Sequence, residues 1–536
     1  MCSFSFSDEP FVSTTPAGQA PIERLPIEII ELILQLDLRL PDIRRIRLVS
    51  KALCKLSSQG RFKTFCRTKS VDLRQHALQA VSRQIVPGSF ACELQHLTIT
   101  GVLYITTSLE KILRLRTVPA DSTDIFGRRE DALGNLTAVR PTREEATSTQ
   151  VVDAYSTLEL LRLYREDAAL ERSAGHDLAA LIELFQHIKQ HSVNKSLRSV
   201  TLEVVIQRFG KCRLEPKDGG AWRPIWDMAA HTFATTLRAL ATAELPVELL
   251  EAFNNVQVCS LSGFHIAHFL QDHQSDKLDH TLRTIRSFSV SISKRVLPPL
   301  GFAILHDADP DDKLRELSPR SRHSAISPPT PDEIANSDAM ASDPRDLVGL
   351  ATLLSKMSHL EDLDLHRYYI HYDFLPAPSA PHGDMMTFAR LVQSSNLNLL
   401  KKLTLRGWTL NAADLLAFLT ANPKLQSLDL RNVAAHGSWK PVFAHLTHPD
   451  HHFNHINLDI LFETVDSKSA YVQFSDSAVS IPSVPAASGT AAFALSGREA
   501  VVKGIAYQRS EQWVMGCVQH TMWRVERRLE YGPPSR

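Results

Sequence analysis

The chain has 536 residues, enough to bury a large core and to hold an extended domain beside a smaller one. Lysine plus arginine equal aspartate plus glutamate at 59 each, so the formal net charge is zero. That argues against a general nucleic-acid binder, which needs a basic surface.

Met1–Ala20 is rich in serine, threonine and small residues and reads as a loose arm. Residues 21–75 follow as a compact helical module. A first helix is expected to open at Pro26, where the missing N–H is harmless, with Glu28 in the first turn. Ile29, Ile30, Leu32, Ile33 and Leu36 give it a broad apolar face. Pro41 and Asp42 mark a second start, after which Ile43, Ile46, Leu48, Val49, Leu53 and Leu56 are the apolar positions. A third short element carries Phe62 and Phe65. Two short helices with this much apolar surface need either a larger domain to cap or a partner to dock on.

A phrase of three apolar residues, spaced i, i+3, i+5, organises the rest of the chain. It occurs at Leu94/Leu97/Ile99, Leu158/Leu161/Leu163, Leu197/Val200/Leu202, Phe253/Val256/Val258 and Ile285/Phe288/Val290. The clearest copies are Leu360/Leu363/Leu365, Leu400/Leu403/Leu405 and Leu425/Leu428/Leu430, followed by Phe453/Ile456/Leu458. The last two positions alternate, so both point to one face of a short strand. Helical patterns lie between copies. Ala179, Leu181, Ile182, Phe185 and Ile188 share one face after Asp177; Ala412, Leu415, Leu416 and Leu419 share another before Asn422. Leu403 and Leu428 lie 25 positions apart, within the leucine-rich-repeat period of roughly 20–29, whereas wider separations imply insertions. An ordinary α/β domain with unrelated parallel strands is the alternative.

Residues 90–306 are expected to form the first part of this region, with a polar loop insertion at 118–150. Asp307–Asp346 reads as a disordered linker, because it cannot bury enough apolar surface to offset its ordering entropy. Its Ser318, Ser327 and Thr330 precede prolines and are candidate phosphorylation sites. Residues 347–480 form the second part. Residues 481–536 are expected to form a helical cap through Val501, Ile505, Trp513, Val514, Val518, Met522 and Val525.

The block Leu25-Pro26-x-Glu28-Ile29, with Ile33, Leu36, Ile43 and Arg47-Leu48-Val49-Ser50-Lys51, resembles the F-box. The resemblance implies a three-helix module that docks a substrate receptor onto the adaptor subunit of an SCF-type cullin–RING ubiquitin ligase. Leu25, Pro26, Ile29, Ile33, Leu36, Leu48, Val49 and Leu53 would supply its core and its adaptor face. With the repeats, the chain resembles F-box proteins bearing leucine-rich repeats, in which the repeat body selects the client. The expected fold is therefore α/β: a three-helix F-box-like module, then an irregular leucine-rich-repeat solenoid with parallel strands and outer helices. The rival is a leucine-rich-repeat scaffold unrelated to ubiquitin transfer.

Residues beside the strands are the candidate client contacts: Tyr369 and Trp408 as apolar anchors, Arg406 and Arg431 as polar ones. No Gly-rich phosphate loop, Gly-x-Ser-x-Gly elbow or His-Glu-x-x-His helix is present, so no mechanism or cofactor suggests itself. The histidines His445, His448, His451, His452 and His455 read as a turn before a strand, with zinc binding as the alternative. The seven cysteines form no close pair, which suits a reducing compartment. With neither a signal-like start nor an apolar run of about 20 residues, no membrane partner is expected, and cytosol or nucleus is the expected location.

Overall fold

The computed structural model describes residues 22, 25–35, 39–58, 60–119, 128–130, 136–138, 143–207, 213–214, 222–254, 259–294, 331–367, 380–394, 397–466, 468–474 and 492–510. The chain divides into two compact units, Met1–Lys69 and Ser70–Arg536.

The described part of the first unit holds four helices, one more than the resemblance implied. α1 (Ile27–Gln35) starts just after Pro26, whose carbonyl accepts from the Ile29 and Ile30 N–H groups at 3.0 and 3.2 Å. α2 (Leu40–Val49) carries Pro41 in its first turn. It stops at Ser50, which is extended (φ −155°) and accepts from the Leu53 N–H at 3.1 Å. Ser50 thereby caps a separate α3 (Lys51–Leu56), so Leu53 and Leu56 do not extend the second helix. α4 (Gly60–Cys66) carries Phe62 and Phe65. Ile30, Leu34, Ile43, Leu53 and Phe62 are the buried apolar residues here, and the Arg47 guanidinium lies 3.9 Å from the Phe62 ring centre.

The second unit is a mixed α/β structure around a mostly parallel sheet, with 14 strands among the described residues. Its long path starts at β1 (Thr68–Asp72) and continues through β2 (His96–Tyr104). The short pairs β3–β6 (Thr117–Pro119, Arg143–Glu145) and β4–β5 (Arg128–Glu130, Leu136–Ala138) lie outside it. It goes on through β7 (Leu197–Gln207), joined on one side by β8 (Arg213–Leu214), then β9 (Val247–Ala252), β10 (Ser287–Ile292) and β11 (Asp362–Arg367). β12 (Lys402–Arg406), β13 (Thr409–Asn411), β14 (Ser427–His436) and β15 (His455–Val465) complete the parallel run. Antiparallel β16 (Lys468–Phe474), β17 (Ala492–Ser496) and β18 (Tyr507–Ser510) close it.

From β2 to β15 each long strand pairs in parallel with the next one in sequence, and helices make the crossovers. Right-handed crossovers that always step the same way return their helices to one face of the sheet. The apolar phrase supplies that face. Leu97, Val200, Phe288, Leu363, Leu403, Leu428 and Ile456 are buried, as are Ile99, Leu202, Val290, Leu365, Leu405, Leu430 and Leu458 two positions on. The leading residues Leu94, Leu197, Ile285, Leu360, Leu400, Leu425 and Phe453 also fold inward and are buried.

Two copies of the phrase behave differently. Leu158/Leu161/Leu163 lies in the helix Ser148–Ser173, which opens with a capping box between Thr147 and Gln150. Its Ala154, Leu158, Leu161 and Ala168 are buried at helical spacing, so an i, i+3 pair marked a helix and not a strand. Near Phe253 the strand comes earlier, over Val247–Ala252, and the matching positions are Val247, Leu250 and Ala252. Phe253 follows the strand with φ 61°; Val256 and Val258 lie outside the described residues.

Three segment expectations also change. Within the supposed linker, Pro331–Ser342 and Pro344–Ser355 are helices, the second capped by Asp343, which accepts from the Arg345 N–H at 2.8 Å. Ser318, Ser327 and Thr330 lie outside the described residues. The 118–150 insertion contains the two short strand pairs and the start of a helix, instead of being loop throughout. At the C-terminal end, Val501 sits in a short helix (Arg498–Val502), but Tyr507–Ser510 is a strand on β16, interrupting the expected helical cap. Residues 511–536 lie outside the described ones. No described helix is long and apolar enough to cross a membrane.

Candidate interaction surfaces

The helical unit presents apolar side chains to solvent. Leu48 is 87% exposed and Val49 72%, both at the end of α2. Ile27, Ile29 and Leu32 on α1 are exposed as well. Because Ile30, Leu34 and Ile43 already fill the inner faces of these helices, the outer residues have no role in the unit's own core. Of the other residues the resemblance singled out, Leu53 is core, Leu25 and Ile33 are half-buried, and Pro26 is exposed. Leu36 lies outside the described residues.

On the sheet of the second unit, the position between the two inward apolar residues forms a continuous row. Register aligns Thr98, Thr201, Glu251, Ser289, Asp364, Thr404, Asp429 and Asn457 across eight strands. Strand spacing puts these side chains about 4.8 Å apart. Two positions on, a second row holds Ser291, His366, Arg406, Arg431 and Asp459.

Two ion pairs link the rows. Arg406 Nε donates to Asp364 Oδ1 at 3.2 Å and Nη2 to Oδ2 at 3.3 Å, a bidentate pair on adjacent strands. Asn254 Nδ2 adds a bond to Asp364 Oδ2 at 2.7 Å. Burial pushes the Asp364 carboxyl above its usual range, and the Arg406 charge only partly opposes this. On β14, Arg431 Nε and Nη2 donate to the two Asp429 carboxylate oxygens at 2.8 and 2.6 Å. Asn457 Nδ2 donates to Asp429 Oδ1 at 2.9 Å. At Asp364 and Asp429 the carboxylate oxygens are committed to neighbouring side chains.

That outcome corrects two of the expected client contacts. Trp408 is fully buried; its Nε1 donates to the Leu365 carbonyl at 3.0 Å and its ring meets Phe388 edge-on at 5.8 Å. The chain turns inward at Gly407 (φ 74°), where a Cβ would stand 2.5 Å from the Arg367 carbonyl oxygen. Trp408 is therefore a core residue and no anchor. The Arg406 side chain is 9% exposed and held by Asp364, so it is a structural ion-pair partner and not an open polar contact. Arg431 is half-buried on Asp429, and Tyr369 lies outside the described residues. Asn254 and Asn457, which orient the two carboxylates, carried no signal in sequence because each sits beyond or between apolar positions. A second tryptophan repeats the first arrangement: Trp439 is buried and donates from Nε1 to the Phe462 carbonyl at 2.9 Å.

The histidine group runs from His445 in the last turn of the Lys440–Leu446 helix, through the turn that holds His448, His451 and His452, to His455 at the start of β15. The His445 and His451 rings stand 3.9 Å apart, and His451 Nδ1 lies 2.7 Å from the His445 carbonyl oxygen. Burial, with the neighbouring His451 and His448, lowers the His445 pKa to about 4. Among the described residues, no histidine, cysteine and carboxylate side chains are grouped to hold a metal ion. No family model matches the chain, and no curated protein matches it.

Proposed function

We propose that this chain is the substrate-recognition subunit of an SCF-type cullin–RING ubiquitin ligase and is itself non-catalytic. The helical unit takes the part of an F-box. The second unit takes the part of an irregular leucine-rich-repeat solenoid that holds a protein client. The observation that carries this reading is the exposure of Leu48 and Val49 within the Arg47–Lys51 block, with Ile29 and Leu32 exposed on α1. Single exposed apolar side chains are ordinary, but several large ones on one small unit form the kind of surface that a partner covers. The repeat reading is supported by the sequential parallel strand order and by the in-register recurrence of the apolar phrase.

The test is co-purification with the adaptor subunit. Truncating an anchor of such an interface costs about 2 kcal/mol or more, and each ~1.4 kcal/mol is tenfold in affinity. Leu48→Asp with Val49→Asp is expected to abolish adaptor capture while the thermal transition of the protein stays where it was, because neither side chain is in the core. Undiminished adaptor capture by that variant would end the reading. A stable client complex without adaptor or cullin would replace it with an interaction scaffold unrelated to ubiquitin transfer.

A further inference from the structure

The helix Ser148–Ser173 is apolar on two opposite faces. Its inner face, Ala154, Leu158, Leu161 and Ala168, is buried, and the first three pack with Leu109, Ile112 and Tyr104. At 100° per residue, Val152, Leu163 and Leu170 fall within about 20° of one line on the opposite side. They are exposed by 65%, 57% and 67%. Tyr155 and Leu160 flank that line and are also exposed. Isolated exposed leucines need no explanation, but a stripe running roughly 27 Å along one helix is a different object.

The charges on this stripe have one sign. Glu159, Glu166 and Asp167 lie within about 60° of its centre, and the arc contains no lysine or arginine. Arg162, at its border, is tied to Glu159 at 3.3 Å and Glu110 at 3.4 Å. A helix that lies on a membrane surface carries lysine and arginine around its apolar face, the reverse of this arrangement. Two copies of the stripe brought together would set acidic residues around a shared seam with no cation to offset them.

We infer that this face is a second docking surface, independent of the adaptor reading, and that its occupant is an amphipathic helix with an apolar seam flanked by lysine or arginine. Such a helix would cover Val152, Leu163 and Leu170 with its apolar side chains and pair its cations with Glu159, Glu166 and Asp167.

The experiment uses the full chain and three labelled helical peptides of about 20 residues, long enough to span the stripe. One has leucine at its seam and lysine beside it, the second has glutamate in place of lysine, and the third has serine in place of leucine. In fluorescence anisotropy the leucine–lysine peptide is expected to bind and the other two to bind at least about tenfold more weakly. Leu163→Asn with Leu170→Asn is expected to weaken the leucine–lysine peptide by about tenfold or more. Glu159→Lys with Glu166→Lys is expected to shift the preference toward the glutamate peptide. All four positions are exposed, so the variants keep the buried face of the helix. Equal binding of the leucine–lysine peptide to the unsubstituted chain and both variants overturns the inference. So does sedimentation of the unsubstituted chain as a dimer that Leu163→Asn with Leu170→Asn converts to monomer, since the occupant is then a second copy.

Discussion

Gly349→Ala sets two opposing effects against each other, and the packing of two helices decides the sign. Gly349 lies inside Pro344–Ser355, which crosses Gly263–Asp272 closely. A Cβ at Gly349 would stand 1.9 Å from the Gly263 carbonyl oxygen and 3.0 Å from the Ala267 nitrogen, both backbone. Ordinary contact begins at 3.4 Å, so the helices would have to part by roughly 1.5 Å. That movement also pulls Asp346 Oδ1 from the Phe264 N–H, now 3.0 Å away, and the Arg345 guanidinium from the Phe264 ring. Overpacking against rigid backbone costs up to about 3 kcal/mol and the lost capping bond about 1 kcal/mol. Alanine returns about 1 kcal/mol through helix propensity, leaving a destabilisation of ~3 kcal/mol. All six tryptophans lie beyond residue 69, so tryptophan fluorescence in urea reports the second unit alone. With a slope of about 3 kcal/mol/M the midpoint should fall by about 1 M, while Thr352→Ala, exposed on the same helix, should leave it nearly unchanged. A midpoint that rises, as propensity alone dictates, would refute the close crossing.

Two further outcomes follow from the buried charges. Arg406→Ala leaves the Asp364 carboxylate with Asn254 as a hydrogen-bond partner but without its bidentate cation, and should cost about 2 kcal/mol, less than a fully dry pair because Asp364 keeps 27% side-chain exposure. In a double-mutant cycle with Asp364→Ala the two changes should couple by about 1 kcal/mol or more; simple additivity would show that the pair contributes nothing jointly. His445 has its pKa lowered to about 4 from 6.5, so folding favours its neutral form. The contribution is fully present above pH 6.5 and is lost as pH falls toward 4; it amounts to ~3 kcal/mol before solvent screening and about half that after. His445→Asn should flatten this decline in urea midpoints taken between pH 7.5 and 4.5, and an unchanged slope would show that the decline arises elsewhere.

Local chemistry alone located much of the framework. Pro26 and Pro41 marked the starts of α1 and α2 because proline is tolerated in a first helical turn and little further on. The alternating pair in Leu363/Leu365, Leu403/Leu405 and Leu428/Leu430 fixed both the strands and the inward face, since a strand sends every second side chain the same way. Where the signal was ambiguous, only long-range packing resolved it. An i, i+3 leucine pair fits a helix as well as an approach to a strand, and the capping box at Thr147 with a buried face on Leu109 selected the helix at Leu158. Trp408 looked like a surface anchor until Gly407 turned the chain and placed the indole under the Leu365 carbonyl. Arg406 and Asp364 are 42 positions apart, so their pairing depends on which strands become neighbours, and no local pattern encodes it. The same holds for the helix Ser148–Ser173. Its sequence supplied two apolar faces, and the helix Thr107–Leu115, with Tyr104 beside it, covered one of them and left the other to solvent.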